Sequence, residues 1–192
     1  LFSVLMSIDV LAEGSEVEEI LVKGRVLQSD QMNALKIPTP IINVPQSLSI
    51  ITDEDVRKKG FKEIGDIVKY TPGINTSLGE GHRDAVVFRG VRSTADFFQD
   101  GVRDDVQYYR PLYNVEQVEV LRGPNALLFG RGGTGGVINR VSKKPVNGKE
   151  FKTVDLGYDS FGASDIAVDL NTNLRDSVAF RLNVHNDSLE NH

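Results

Sequence analysis

The sequence predicts a small α+β domain, a mixed sheet with short helices, followed by a run of antiparallel strands. Two short helical patterns lie among strand-like segments before residue 125, and three segments after residue 150 alternate apolar and polar side chains. A glycine-crowded segment at residues 130–136 connects two strand patterns. These three observations together indicate two structural units in the chain.

The first 39 residues lack the pattern of a folded core. Residues 1–12 are apolar and end in a small-residue pattern that a signal peptidase would cut before Glu13, although Asp9 interrupts the run. We therefore expect residues 1–12 to be a truncated signal peptide. Residues 13–39 are polar and predict a flexible, extended arm with one short apolar island.

The region after residue 46 predicts alternating strands and helices. Residues 47–52 form a strand pattern, and Thr52 then provides a helix cap, with three acidic residues in the first turn and two lysines before Gly60. A second helix is predicted at residues 62–70. Three further strands are predicted at residues 85–89, 96–99 and 115–121.

The glycine segment fits the spacing G-x-G-x-x-G through Gly130, Gly132 and Gly135. In nucleotide-binding proteins this spacing needs a strand before it and a helix N-terminus after it. Here residues 137–141 are rich in β-branched side chains, and no Lys-Ser or Lys-Thr pair follows the glycines. The segment therefore predicts tight turns in which a Cβ atom would collide with neighbouring backbone.

Alternation with a period of two dominates residues 153–158, 165–170 and 178–185. One face of each segment is apolar and the other is largely polar, and turn-forming residues fill 159–164 and 171–177. Two environments fit this pattern. One is a soluble antiparallel sheet with its apolar face on a core. The other is the start of a membrane β-barrel, apolar towards lipid and polar towards the lumen.

Composition excludes several classes of function. Cysteine is absent and the three histidines share no metal-ligand spacing, so neither disulfides nor a metal site are expected. The formal charge is −5 with acidic residues interleaved throughout, which disfavours nucleic acid as a partner. Seven arginines between Arg83 and Arg131 suit an anionic ligand or internal ion pairs. No nucleophile–base pair, supported carboxylate pair or cofactor-binding helix indicates an enzyme.

Several segments together resemble the TonB-dependent outer-membrane receptors that take up iron–siderophore complexes. The resemblance implies a plug domain at residues 40–146, seated in a transmembrane β-barrel of roughly 22 strands, and makes residues 151–192 the first strands of that incomplete barrel. The matching segments are NVPQSLSIIT at 43–52, GDIVKYTPGIN at 65–75, VFRGV at 87–91, FFQDGVRD at 97–104 and NVEQVEVLRGPNALLFGRGGTGGVINRVSKKP at 114–145.

The resemblance implies a receptor in the outer membrane of a Gram-negative bacterium. It would import a ferric siderophore, contact outer-membrane lipid, and need neither a cofactor nor catalysis. Glu19, Ile20, Leu21 and Val22 would form the TonB box, an extended strip suited to strand addition to TonB, which belongs to an inner-membrane energising complex. The alternatives are a receptor for another nutrient such as cobalamin, and a soluble β-rich binding module.

The resemblance also implies roles for individual plug residues. Arg89 and Arg122 would pair with glutamates of the barrel wall as a latch, and Glu119 is expected to join them. Ligand residues are expected in outward-facing loops, where arginine and tyrosine offer charge, hydrogen bonds and stacking to an anionic or aromatic chelate without touching iron. The expected ligand residues are His82, Arg83, Arg103, Gln107, Tyr108, Tyr109, Arg110 and Tyr113.

Overall fold

The structure is a computed structural model. It describes residues 31–32, 39–40, 43, 45–77, 83–94, 96–124, 129, 133–158, 160 and 162–188. None of the helices in these ranges has the length and apolar character needed to cross a membrane. The described strands form four sheets, and two of those sheets carry the architecture.

A mixed five-stranded sheet organises the first domain. Its strand order is β3-β9-β10-β7-β8, in which β7 and β10 are parallel and the other neighbours are antiparallel. A three-stranded sheet, β4-β5-β6, and the pair β1-β2 complete the domain. The strands are β1 Gln31–Met32, β2 Thr39–Pro40, β3 Ser47–Thr52, β4 Ile74–Thr76, β5 Val86–Phe88, β6 Val91–Ser93, β7 Phe97–Gln99, β8 Val102–Arg103, β9 Val115–Arg122 and β10 Gly136–Ser142.

Helix α1, Asp53–Lys59, confirms the end signals in the sequence. Thr52 and Asp55 form a capping box, and Gly60 ends the helix in the left-handed conformation at φ 66°. Helix α2, Ile64–Lys69, is shorter than predicted, and no side chain caps its N-terminus. Its buried residues pack into the main core beside β9 and β10.

The last three strands form a separate antiparallel sheet of β11 Phe151–Tyr158, β12 Ser164–Arg175 and β13 Val178–Ser188. Its apolar side chains point outward, with Leu156 77% and Tyr158 82% exposed. Its polar side chains face the first domain, so Asp169 is 4% and Asn171 2% exposed. A soluble sheet would bury the opposite face, and this orientation is the one expected of barrel strands around a plug.

The turn expected at residues 171–177 is largely strand. Strand β12 continues to Arg175, and only two residues separate it from β13. The polar side chains in this segment contact the loop that joins β10 to β11. Asn171 Nδ2 donates to the carbonyl oxygens of Val146 and Lys149 at 2.9 and 2.7 Å, and Asn171 Oδ1 accepts from Val146 N at 2.9 Å.

The glycines before β10 allow close packing against β5. Gly133 has φ 67°, and Gly135 lies where a Cβ atom would be 2.8 Å from Phe88 Cβ and 3.2 Å from Phe88 O. A Cβ atom at Gly136 would overlap the Phe88 ring. These described positions confirm that the glycines pack a sheet junction.

Replacing Gly135 or Gly133 with valine should destabilise the first domain. Overpacking against Phe88 costs about 1–3 kcal/mol, and the left-handed backbone of Gly133 costs a β-branched residue about 1–2 kcal/mol. Limited proteolysis should show faster cleavage within residues 40–146.

Gly148→Val is the matched control, because Gly148 has φ 76° and no atom within 4 Å of the added Cβ position. Its turn lies outside the core, so protease resistance of the first domain should persist. Unchanged resistance in Gly135→Val would contradict the packing role.

Candidate functional site

Two segments that the sequence places far apart form one surface, called here the loop pair: residues 83–85 and 104–113. Arg83 Nη1 donates to Gln107 Oε1 at 2.5 Å, and Asp84 N donates to Tyr108 O at 3.2 Å. The loop pair thus brings together most of the ligand residues expected from the sequence. His82 lies outside the described residues.

Arg110 is an internal residue of the loop pair rather than a surface one. Its side chain is 0% exposed and forms ion pairs with Asp104 at 3.1 Å and Asp84 at 3.6 Å. The guanidinium also donates to the carbonyl oxygens of Asp104, Val106 and Tyr108. Because it fastens the two segments to each other, Arg110 is placed as a structural residue.

Tyr108 and Arg140 extend this internal network. Tyr108 Oη donates to Asp104 Oδ2 at 2.7 Å, and Arg140 Nη2 contacts both Tyr108 Oη at 2.9 Å and Asp104 Oδ2 at 2.5 Å. Asp104 therefore accepts from two guanidinium groups and a phenol. The network joins the loop pair to β10, which is part of the central sheet.

The exposed part of the loop pair is mostly uncharged. Val106 and Tyr109 are 65% and 43% exposed, and Gln107 and Asp105 are also exposed. Arg103, just before the loop pair, is half-buried with its guanidinium 5.4 Å from the centroid of the Phe98 ring. A ligand above this surface meets a phenol, an amide, a methyl-bearing side chain and one carboxylate.

A cleft of about 160 Å³ opens beside the loop pair, between Glu63, Asp84 and Tyr109. Burial raises the pKa of Glu63, and the carboxylates of Asp66 and Asp84 raise it further. Burial also raises the pKa of Asp84, opposed by its hydrogen bonds and ion pair with Arg110. The cleft therefore holds two carboxyl groups, those of Glu63 and Asp84, whose pKa values are raised above the ordinary values of these side chains.

A charge cluster of Asp53, Glu116, Lys143, Asp169 and Arg181 joins the first domain to the three strands. Lys143 Nζ lies 3.2 Å from both Asp53 and Asp169. Arg181 binds Asp169 through two hydrogen bonds of 2.9 and 2.7 Å and lies 3.3 Å from Glu116. The side chains of Lys143, Asp169 and Arg181 are only 3–6% exposed, so the centre of the cluster is buried, while Asp53 and Glu116 are partly exposed.

A second contact with the strands lies near the loop pair. Tyr113 stacks on His185 with ring centroids 4.8 Å apart and planes 11° from parallel. Lys62 pairs with Asp165. These residues line a cleft of about 200 Å³ between the two units. Tyr113, expected to bind ligand, is placed against the wall of strands.

Of the expected latch residues, Arg122 ends β9, Glu119 lies within that strand, and Arg89 lies in the β5–β6 turn. Arg122 donates to Ser47 Oγ at 2.9 Å and to Pro72 O at 3.3 Å, and Arg89 is exposed in a left-handed turn at φ 47°. Glu119 is fully buried and accepts from Gln117 and Asn139. Because Glu119 is three positions from Arg122 along a strand, the two side chains are on opposite faces, and the expected shared cluster is not formed by these contacts.

Sequence reasoning missed the acidic partners of the arginines and the charge cluster. Asp84 lies 26 positions from Arg110, so spacing along the chain does not point to their pairing. Asp104 lies six positions from Arg110 and ends the segment FFQDGVRD, but that segment carries no signal for an ion pair. The sequence did contain one signal for the cluster, because the polar face of β12 and β13 carries charged residues. If that face lies inside a barrel, those charges need partners of opposite sign. The segment 19–22 lies outside the described residues, and within the described ranges no three His, Cys, Asp or Glu side chains form a metal site.

Sequence comparisons with known proteins agree on one family. Residues 40–137 match the family described as TonB-dependent Receptor Plug Domain. The chain is 30% identical over 189 residues to the probable TonB-dependent receptor BfrD of Bordetella pertussis, covering 96% of this chain and 25% of that protein. It is 34% identical over 165 residues to the ferrioxamine B receptor of Salmonella typhimurium, covering 79% of this chain and 23% of that receptor.

Solved structures give the same result. The open form of the ferric-catecholate import receptor Fiu of E. coli K12 is 28% identical with a TM-score of 0.69, covering 77% of this chain and 22% of that chain. FpvA of P. aeruginosa bound to a heterologous pyoverdine–iron complex is 25% identical with a TM-score of 0.74, covering 83% of this chain and 23% of that chain. The chain spans about a quarter of the length of the relatives that it matches.

Arg110→Met should unfold the loop pair rather than remove a ligand contact. The substitution leaves the buried Asp84 carboxylate without its paired cation and removes one of the two guanidinium groups, those of Arg110 and Arg140, that pair with Asp104. Losing one partner of a buried ion pair costs about 3–5 kcal/mol. Urea unfolding followed at a label on the loop pair should show this loss. Arg92→Met, at an exposed arginine of β6, is the control and should be close to neutral. A stable Arg110→Met protein would refute the structural role.

Glu63→Gln should change how stability depends on pH. Because the folded-state pKa of Glu63 is raised, its protonated form favours folding, and the domain loses stability as pH rises from the ordinary glutamate pKa through the raised one. Glutamine does not ionise, so this loss of stability disappears. The urea concentration at the unfolding midpoint should therefore vary less with pH in the variant and be higher at neutral pH.

Asp66→Asn should have the opposite sign. Burial alone would raise the pKa of Asp66, but hydrogen bonds from Lys62 N and Lys69 Nζ lower it overall. Its carboxylate stabilises the fold above the ordinary aspartate pKa, and the variant should therefore be less stable at neutral pH. Equal pH profiles for both variants would contradict these assignments.

Proposed function

Because the chain belongs to the family of TonB-dependent receptors with a plug domain, we propose that it supplies the plug and first barrel strands of an outer-membrane importer of ferric siderophores. TonB would deliver the energy, and the protein would perform no chemistry on its cargo. The family is one of receptors rather than enzymes. The proposal extends to the whole receptor, of which this chain spans about a quarter by comparison with its relatives.

The orientation of strands β11 to β13 carries the proposal. Their outward-facing apolar side chains form a band that begins at Val178 on β13 and ends where Leu156 of β11 pairs with Ile166 of β12. This band is about 27 Å long in the strand direction. At a strand tilt near 40° this band is about 20 Å high, close to the ~25 Å band of outer-membrane barrels. Tyr158 lies at one edge, where aromatic side chains meet the lipid headgroups.

The plug sheet supports a latch on the far side of the barrel. Strand β9 begins beside Arg181, through Glu116, and ends at Arg122, about 20 Å away. Arg89 lies in the same region, since Arg89 N donates to Gly73 O and Gly73 lies against Arg122. We propose that both arginines would pair with glutamates of the barrel wall in the whole receptor.

Recognition of TonB would use the arm before the plug. The apolar residues Ile20, Leu21 and Val22, preceded by Glu19, would pair as an extended strand. In that mode of binding, main-chain hydrogen bonds to the edge of a partner sheet provide affinity. Proline removes one donor and fixes φ, so it should interrupt the pairing.

Ligand would rest on the loop pair. Direct iron ligation is not needed, because the siderophore already fills the coordination sphere of the metal. Growth of a receptor-deficient Gram-negative host under iron limitation tests the proposal, with the full-length receptor supplied and one ferric siderophore offered at a time. Restored growth with at least one siderophore is expected. Growth rescued only by another nutrient, such as cobalamin, would contradict the siderophore assignment.

Ile20→Pro in that receptor should abolish energised uptake and leave ligand binding unchanged, because the proposed role of the arm is to bind TonB and not the ligand. Uptake of a radiolabelled ferric siderophore by whole cells and its binding to purified receptor give the two readouts. Ser15→Pro is the control, at a polar position of the same arm. Full uptake by the Ile20→Pro receptor would contradict strand addition at this site.

A further inference from the structure

We propose that the plug selects a ferric chelate without net negative charge, such as a neutral or cationic trihydroxamate complex, over an anionic tris-catecholate. The inference rests on the proposed siderophore function and names the class of substrate. It is based on which charged side chains of the loop pair remain exposed after its internal ion pairs and hydrogen bonds have formed.

The arginines of the loop pair are committed to internal partners. Arg110 is fully buried between Asp84 and Asp104, and its guanidinium also lies 4.0 Å from the centroid of the Phe97 ring. Arg83 is half-buried and holds Gln107 at 2.5 Å. Releasing Arg110 towards a ligand would leave the buried Asp84 carboxylate without its cation, since Asp104 keeps its pair with Arg140. Losing one partner of a buried ion pair is strongly unfavourable.

The arginines next to the loop pair are committed as well. Arg140 is 5% exposed and pairs with Asp104, and Arg103 is half-buried over the Phe98 ring. Arg89 and Arg92 are exposed but lie outside the loop pair, in the β5–β6 turn and on β6, where Arg92 pairs with Val87 of β5. Among the described arginines in the loop pair and directly beside it, the guanidinium groups are therefore engaged by contacts inside the plug.

The exposed side of the loop pair is uncharged or acidic. The loop pair as a whole contains two arginines, Arg83 and Arg110, and three aspartates, Asp84, Asp104 and Asp105, so its formal charge is 2 − 3 = −1. Asp105 is the exposed member of these five, and Tyr109 and Val106 provide the remaining contact area. Such a surface offers aromatic and apolar contact with one exposed negative charge.

Electrostatics then separates the two siderophore classes. A ferric tris-catecholate is a multiply charged anion, which Asp105 repels and which gains no accessible guanidinium from the described loop pair. A ferric trihydroxamate is neutral, or cationic when it carries an ammonium tail. Such a complex can stack on Tyr109 and place its cation near Asp105, with the attraction weakening as salt is added.

Binding of defined chelates to the purified full-length receptor tests the inference. The probes are a ferric trihydroxamate with an ammonium tail, the same complex with the tail acetylated, and a ferric tris-catecholate. We expect both hydroxamates to bind at least about tenfold more tightly than the catecholate, a difference near 1.4 kcal/mol. Added salt should weaken only the cationic complex.

Asp105→Asn should weaken the ammonium-bearing complex by about two- to fivefold, the range of one exposed charge pair, and leave the acetylated complex unchanged. Asp176→Asn, in the exposed turn between β12 and β13, is the matched control and should alter neither. Equal or tighter binding of the tris-catecholate overturns the charge selection while leaving the receptor function intact. Binding of no ferric siderophore overturns the receptor function itself.

Discussion

The buried charge cluster between plug and strands is the interaction on which the arrangement depends. Asp169 on β12 accepts hydrogen bonds from Nε and Nη2 of Arg181 and pairs with the ammonium of Lys143, while Asp53 and Glu116 contribute carboxylates from the plug. Buried charges are tolerated only when they are paired and hydrogen-bonded. The polar face of these strands therefore requires the plug, and the plug fixes which face remains for lipid.

The same constraint orders the interior of the plug. Its sheet runs across the space beside the strands, with Glu116 at one end of β9 and Arg122 at the other. Side chains that look like a cationic binding surface in the sequence instead hold segments together, as Arg110 does between Asp84 and Asp104. What remains for recognition is a small surface around Tyr109, on a loop pair made rigid by those buried pairs.

Local signals in the sequence predicted the local structure well. The Thr52 cap, the Gly60 stop and the period-two segments reappear as α1 and as β11 to β13, because each depends on residues within a few positions. The roles of Arg110 and Glu119 were not predictable in this way. Arg110 pairs with Asp84 across 26 positions and Glu119 accepts from Asn139 across 20 positions, so spacing along the chain could not separate a ligand-binding arginine from a structural one.

The most direct test of this account compares two neighbouring positions on β13 in the full-length receptor, held in lipid. Leu182 is 41% exposed on the apolar face, and Asn183 faces the plug. Cysteine at 182 should react with a lipid-soluble maleimide and resist a water-soluble one. Cysteine at 183 should resist both reagents while the plug is folded. Reaction of 183 from lipid, or protection of 182 from the lipid-soluble reagent, would contradict the orientation of the strands.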